Sequence, residues 1–184
     1  SIDSDIKAKL RNSGISFGYK TIYDATLLKP EASKVRVSLF NAFHNAIETK
    51  VIQPAPGLVT VEYDKHISKQ QYLVAGFFVA GSRAIRIDML ERLYFLFKAY
   101  SKDEWIVIQP TMLSITGLGV EDFAALVKSL RYELKYEKVE KGNEAITLEK
   151  ESEHYKITFK RQSVNKKVKQ MKNCDSFKKG RRNR

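Results

Sequence analysis

Apolar residues recur along the chain at two periods, and the change of period divides it. In residues 4–13, Ile6 and Leu10 stand four apart and Gly14 follows in the position that ends helices, which predicts a short helix. Residues 15–19 alternate and residues 21–23 continue the extended pattern, as in a short strand or hairpin. Pro30 suits the first turn of a helix, and after it Val35, Leu39, Phe43 and Ile47 recur every four residues. With Ala32 and Phe40 beside that stripe and Lys34, Ser38, Asn41 and Glu48 off it, the pattern predicts an amphipathic helix of about 18 residues with the stripe as its inner face. Residues 53–57 (QPAPG) break regular structure, and residues 58–62 read as a strand. Residues 69–75 fit helix or strand. Gly76 and Gly81 bracket a Phe77-Phe78-Val79 run.

Asp88 followed by Glu91 has capping-box spacing with Asp88 as the cap. Met89, Leu93, Leu96, Phe97 and Tyr100 then mark one helical face, widened by Leu90, Tyr94 and Phe95, so this helix is expected at the centre. Residues 111–116 form a short helix, Gly117 and Gly119 turn the chain, and Val120, Phe123, Ala124, Val127 and Leu130 make another stripe. Glu121 and Asp122 fall in that helix's first turn, where negative charge suits the dipole. From Tyr132 the period becomes two: Tyr132, Leu134 and Tyr136, then Ile146 and Leu148, then Tyr155, Ile157 and Phe159 alternate with polar residues. Gly142-Asn143 supplies a turn between the first two runs. The expected fold class is α+β, a helical body closed by a C-terminal antiparallel β-meander with one wet face. Residues 1–159 form the domain, and residues 160–184 are expected to be a disordered basic tail.

Charge sharpens that division. The 184 residues carry 33 Lys and Arg against 21 Asp and Glu, a formal +12. Eleven of those cations, Lys160, Arg161, Lys166, Lys167, Lys169, Lys172, Lys178, Lys179, Arg181, Arg182 and Arg184, face a single acid, Asp175, in the last 25 residues. The other 159 carry 22 basic and 20 acidic groups and are nearly neutral. The longest apolar stretch, residues 72–80, falls far short of the roughly 20 residues of a membrane span. The polar, mixed-charge start does not read as a signal peptide. One cysteine, Cys174, cannot close an internal disulfide. These features lead us to expect a soluble protein in a reducing, cytoplasmic compartment, with no membrane partner. The absence of an initiating Met suggests a piece of a longer protein.

No Walker loop is present to cradle a triphosphate and no nucleophile elbow to activate a serine. His44, His66 and His154 are far apart in sequence and none has metal-ligand spacing, so no metal or catalytic residue is assigned. The tail is the strongest signal: clustered cations displace counterions from phosphates and bind nucleic acid without reading its sequence. Gly117 and Gly119, before a helix start, offer backbone N–H groups to a phosphate, although two glycines also simply make a turn. Arg83 and Arg86 either face nucleic acid or pair internally with Asp88 and Glu91. Phe17, Tyr19 and Tyr23 beside Lys20 offer a stacking surface, or, for Phe17, core packing.

Three blocks succeed one another in an unusual order: residues 14–18 (GISFG) leading to 27–32 (LLKPEA), residues 54–59 (PAPGLV), and residues 75–77 (AGF) with 81–93 (GSRAIRIDMLERL). Their order and spacing resemble the region after the motor domains in bacterial relatives of the mitochondrial degradosome RNA helicase, a superfamily 2 enzyme. The resemblance spans about residues 14–132. It implies a parent that hydrolyses ATP with magnesium to move on RNA or DNA, while this chain, lacking the motor motifs, needs no cofactor itself. Its expected role is a non-catalytic, nucleic-acid-binding C-terminal accessory module. Its expected partners are RNA or DNA, the parent's motor domains and a nuclease. Two alternatives stand beside it. One is a protein-interaction or scaffolding module, which an uncovered apolar surface would favour. The other is a winged-helix DNA binder, matching the order of helices near residues 88–100, 111–116 and 120–131 before a hairpin. The acids Glu121, Asp122, Glu133 and Glu137 lie where such a binder would meet phosphate.

Overall fold

The structure, a computed structural model, describes residues 2–44, 55–100, 105–139, 146–150 and 153–161. Helices and antiparallel sheets alternate through it, an α+β chain. Helix α1 (Ser4–Asn12) buries no residue. It leads into a hairpin of β1 (Ile15–Phe17) and β2 (Ile22–Asp24), paired with Ile15 opposite Asp24. Helix α2 (Pro30–Phe43) begins at its proline, as the sequence predicts.

The face of α2 that meets the protein is not the expected one. Ser33 and Val37 are buried, whereas Val35, Leu39 and Phe43 are 58%, 65% and 84% exposed. Ser33 is the reason. Its small side chain donates to the carbonyl of Leu27 and faces Gly76, where an added Cβ would lie 3.7 Å from Ser33 Oγ. A bulky residue at position 33 would push the helix off, and Val35, Leu39 and Phe43 of the apolar stripe are turned to solvent. Ile47, the last member of that stripe, lies outside the described residues.

Strands β3 (Thr60–Glu62), β4 (Phe77–Ala80) and β5 (Arg83–Arg86) form an antiparallel sheet of order β3-β5-β4. The ambiguous segment before it is helix α3 (Lys69–Val74), fixed by a capping box between Ser68 and Gln71. Tyr72, Ala75, Phe77 and Ala84 join Val37 and Ile67 in one hydrophobic cluster under this sheet.

Helix α4 (Ile87–Tyr100) is central, as expected, with Leu90, Leu93, Tyr94 and Phe97 buried. Phe95 and Tyr100, read as parts of the same inner surface, point outward; Phe95 is 71% exposed. The Asp88–Glu91 capping box does not form. Asp88 Oδ1 accepts from the Met89 N–H at 2.9 Å, while Glu91 is engaged elsewhere. Around α4 gather β6 (Ile106–Val107), α5 (Pro110–Thr116), α6 (Val120–Ser129), β7 (Tyr132–Val139), β8 (Thr147–Lys150) and β9 (Glu153–Arg161). The rings of Phe97, Tyr132 and Phe159 meet edge to face at centroid distances of 4.8–5.7 Å, a favoured aromatic geometry.

The terminal strands make an antiparallel sheet, but their order corrects the consecutive pairing of a meander. β9 lies between β7 on one side and β6 and β8 on the other, and β8 pairs with β9 rather than β7. The two fully buried residues of β9, Ile157 and Phe159, claim the middle of the sheet, while the outer half of β7 is mostly exposed. The Gly142-Asn143 turn lies outside the described residues. β9 also runs through Arg161, so Lys160 and Arg161 belong to the sheet.

Candidate nucleic-acid interface

Arg83 and Arg86 are committed to acids. Arg83 Nη2 reaches Asp122 Oδ2 at 2.7 Å and Nη1 lies 3.8 Å from Glu62, joining β5 to the first turn of α6. Arg86 grips Asp88 through two hydrogen bonds of 2.7 and 3.0 Å, the bidentate geometry that makes such pairs strong. Both are thereby turned from outward-facing charges into ties between elements.

Gly117 ends α5 in the left-handed conformation, φ +65°, and its N–H donates to Leu113 O at 2.7 Å. Gly119 caps α6, and open space surrounds both glycines. The preceding carbonyl, Thr116 O, accepts from Thr60 Oγ1 at 2.7 Å, which ties this turn to β3. Positive φ alone accounts for a glycine at 117.

A different set of side chains converges where β9 ends. The 18–21 turn of the first hairpin is folded onto the buried carboxylate of Glu91. The N–H groups of Tyr19, Lys20 and Thr21 and the Thr21 hydroxyl all donate to it, Thr21 N at 2.7 Å. Gly18 is required there, because an added Cβ would collide with the Glu91 side chain. This clamp fixes Tyr19 and Lys20 against α4. The Tyr19 ring sits 5.6 Å from that of Tyr94, and Lys20 Nζ lies 5.8 Å above the Tyr94 ring. From the other side Arg161 donates to the Tyr19 hydroxyl and holds its guanidinium 5.6 Å from that ring. Tyr19, Lys20 and Arg161 are all exposed. A third cation–aromatic pair places Arg11 of α1 over Phe17 of the hairpin at 5.6 Å. Lys160 lies opposite Glu133 across the strands.

Sequence spacing pointed to Tyr19 and Lys20 and to Arg161 separately; only the fold brings them together. Glu91, which positions them, has in the sequence only the spacing of half a helix cap. Its true use carries no local signal, since its partners lie about 70 residues earlier. The nine cations from Lys166 to Arg184 lie outside the described residues.

Helices α4, α5 and α6 precede the terminal strands, the order that a winged-helix binder would have, but β6 lies between α4 and α5 and β8 between β7 and β9, with strand order β6-β9-β7. The helix that such a domain would lay in a groove, α6, exposes Glu121, Ala125, Lys128 and Ser129, and its Asp122 is occupied by Arg83. Among the described residues no three His, Cys, Asp or Glu side chains gather as a metal site, and no helix is long and apolar enough to cross a membrane. No protein-family model, curated protein or solved structure matches this chain.

Proposed function

We propose that this chain is the nucleic-acid-binding C-terminal accessory module of an ATP-dependent helicase. In this reading it captures RNA or DNA through backbone charge, and ATP and magnesium serve the motor domains of the parent. The observation that carries the nucleic-acid part is the Tyr19–Lys20–Arg161 cluster at the root of a segment with nine cations and one acid. A guanidinium already held on a ring loses little rotamer freedom when it meets a phosphate, and aromatic and guanidinium planes also accept stacked bases. The cluster thus supplies a fixed anchor and the segment beyond it supplies diffuse charge. Arg83 and Arg86 are committed to internal ion pairs. The parentage rests on the succession of sequence blocks described above.

The double variant Y19A/R161A tests the anchor. Binding of a single-stranded oligonucleotide is expected to weaken by about fivefold to 100-fold, given roughly 1–3 kcal/mol for a lost stacking contact, with the loss of one phosphate contact in addition. Affinity equal to wild type in a folded variant removes the cluster from the interface.

A further inference from the structure

A second surface, on the other side of the first hairpin, has a different chemistry. A pocket of about 430 Å³ opens between β2, α2 and α3. Its walls include Ile22, Leu27 and Leu73, which are 56%, 45% and 47% exposed, and the buried Ile87. Arg36 projects into this apolar lining. Its Nη2 donates to Ser33 Oγ at 3.1 Å, and its Nε is buried with no hydrogen-bond partner. No carboxylate of the described residues pairs with it. Asp24 lines the same pocket, but its Oδ1 is taken by the N–H and hydroxyl of Thr26, at 2.8 and 2.6 Å. Burial pushes the Arg36 guanidinium below its ordinary pKa.

A half-desolvated, unpaired guanidinium destabilises a fold. It gains an energetic purpose when something arrives to pair with it. On α2, Arg36, Leu39 and Phe43 follow at i, i+3 and i+7 and so share a face, which joins the pocket to the outward apolar stripe. An exposed apolar surface of this kind marks an interaction site, and the charge within it specifies the occupant. Phosphodiester backbones do not cover aliphatic walls; a peptide with apolar side chains and a carboxylate satisfies both features at once.

We propose that this surface docks a protein segment carrying one carboxylate flanked by bulky aliphatic or phenylalanine side chains. The carboxylate pairs with Arg36, and the apolar groups cover Ile22, Leu27, Leu73 and the Leu39–Phe43 face. The site uses neither Tyr19, Lys20 nor Arg161, although Thr21 and Tyr23 of the same hairpin line it.

The test uses the full chain and a panel of labelled peptides in which one Asp or Glu is combined with two Leu or Phe at different spacings. Each peptide is matched by a copy with Asn or Gln in place of the acid, and binding is read by fluorescence anisotropy at about 0.15 M salt. The expected result is saturable binding by a subset of acidic peptides, about tenfold or more weaker for their amide copies. R36M is expected to erase that preference while melting no lower than wild type, since it removes an unpaired charge; L39S lowers affinity for acid and amide peptides alike. Oligonucleotide binding is expected to be unchanged in both variants, which separates failure here from failure of the nucleic-acid reading. The proposal is overturned if no peptide binds at about 1 mM, or if acid and amide copies bind equally. It is also overturned if sedimentation shows a dimer that L39S dissociates, because a second copy would then cover the face.

Discussion

Glu91 shows how much one side chain organises here. A carboxylate that is 6% exposed receives three backbone N–H groups and one hydroxyl from a turn about 70 residues away. Replacing it with Gln keeps the size but sets an amide NH2 among donors and removes the charge assistance. E91Q is expected to cost about 2–3 kcal/mol in chemical denaturation and to weaken oligonucleotide binding by releasing Tyr19 and Lys20. Stability equal to wild type contradicts the clamp. Tyr94, beneath the same turn, gives a pH signature. Burial, with smaller contributions from Tyr132 and Glu91, pushes its hydroxyl up to about 12, while an unfolded tyrosine ionises near 10. The folded state therefore holds the proton longer. Its contribution is complete below about pH 10 and is lost as the pH rises toward 12. Denaturation midpoints are expected to fall across that window, and to fall less in Y94F. Tyr132, also raised by burial, keeps some of the decline in the variant.

At the scale of elements, exposure and periodicity part company on α2. F43S is expected to change stability by no more than about 0.5 kcal/mol, because the side chain is 84% exposed. L93A, in the fully buried face of α4, is expected to cost about 2–5 kcal/mol. Comparable losses from the two would mean that the α2 stripe is inside after all. This pair also shows what was legible beforehand. Where an apolar stripe is wide, as on α4, or where the period changes cleanly to two, as at Tyr132, the sequence pattern identifies both the element and its inner face. On α2 it identifies the element and misplaces the face. Helical periodicity says that a stripe will be covered, not that the same chain covers it. Strand neighbours were beyond reach for a related reason: alternation marks β7, β8 and β9 as strands, but the placing of β9 at the centre depends on how deeply Ile157 and Phe159 are buried. The two-residue strand β6 is too short to carry a period at all.

In the whole molecule the charges separate by use. Within the body, Arg83 and Arg86 are spent on Asp122, Glu62 and Asp88, holding β5, α6 and α4 in place. Arg36 stands unpaired in an apolar pocket and calls for an acidic partner. Arg161 and Lys20 meet on aromatic rings, and beyond Arg161 nine cations follow with one acid among them. On the readings proposed above, one surface takes polyanions and the other an apolar segment with a single acid. On the two proposed readings, the module would tether a nucleic acid and a protein at the same time. Its two affinities are expected to respond differently to salt, steeply for the first and weakly for the second.

The central claim is that the C-terminal cations capture nucleic acid. The most direct measurement is the affinity of a single-stranded oligonucleotide for the full chain and for a version ending at Arg161, which leaves β9 whole, across a salt series. For the full chain, log affinity is expected to fall with log salt at a slope of about −3 to −6, the steeper limit corresponding to all nine cations engaged at about 0.7 per contact. The shortened chain is expected to bind at least about tenfold more weakly with a slope shallower than −2. Equal affinities and equal slopes for the two chains would contradict the account.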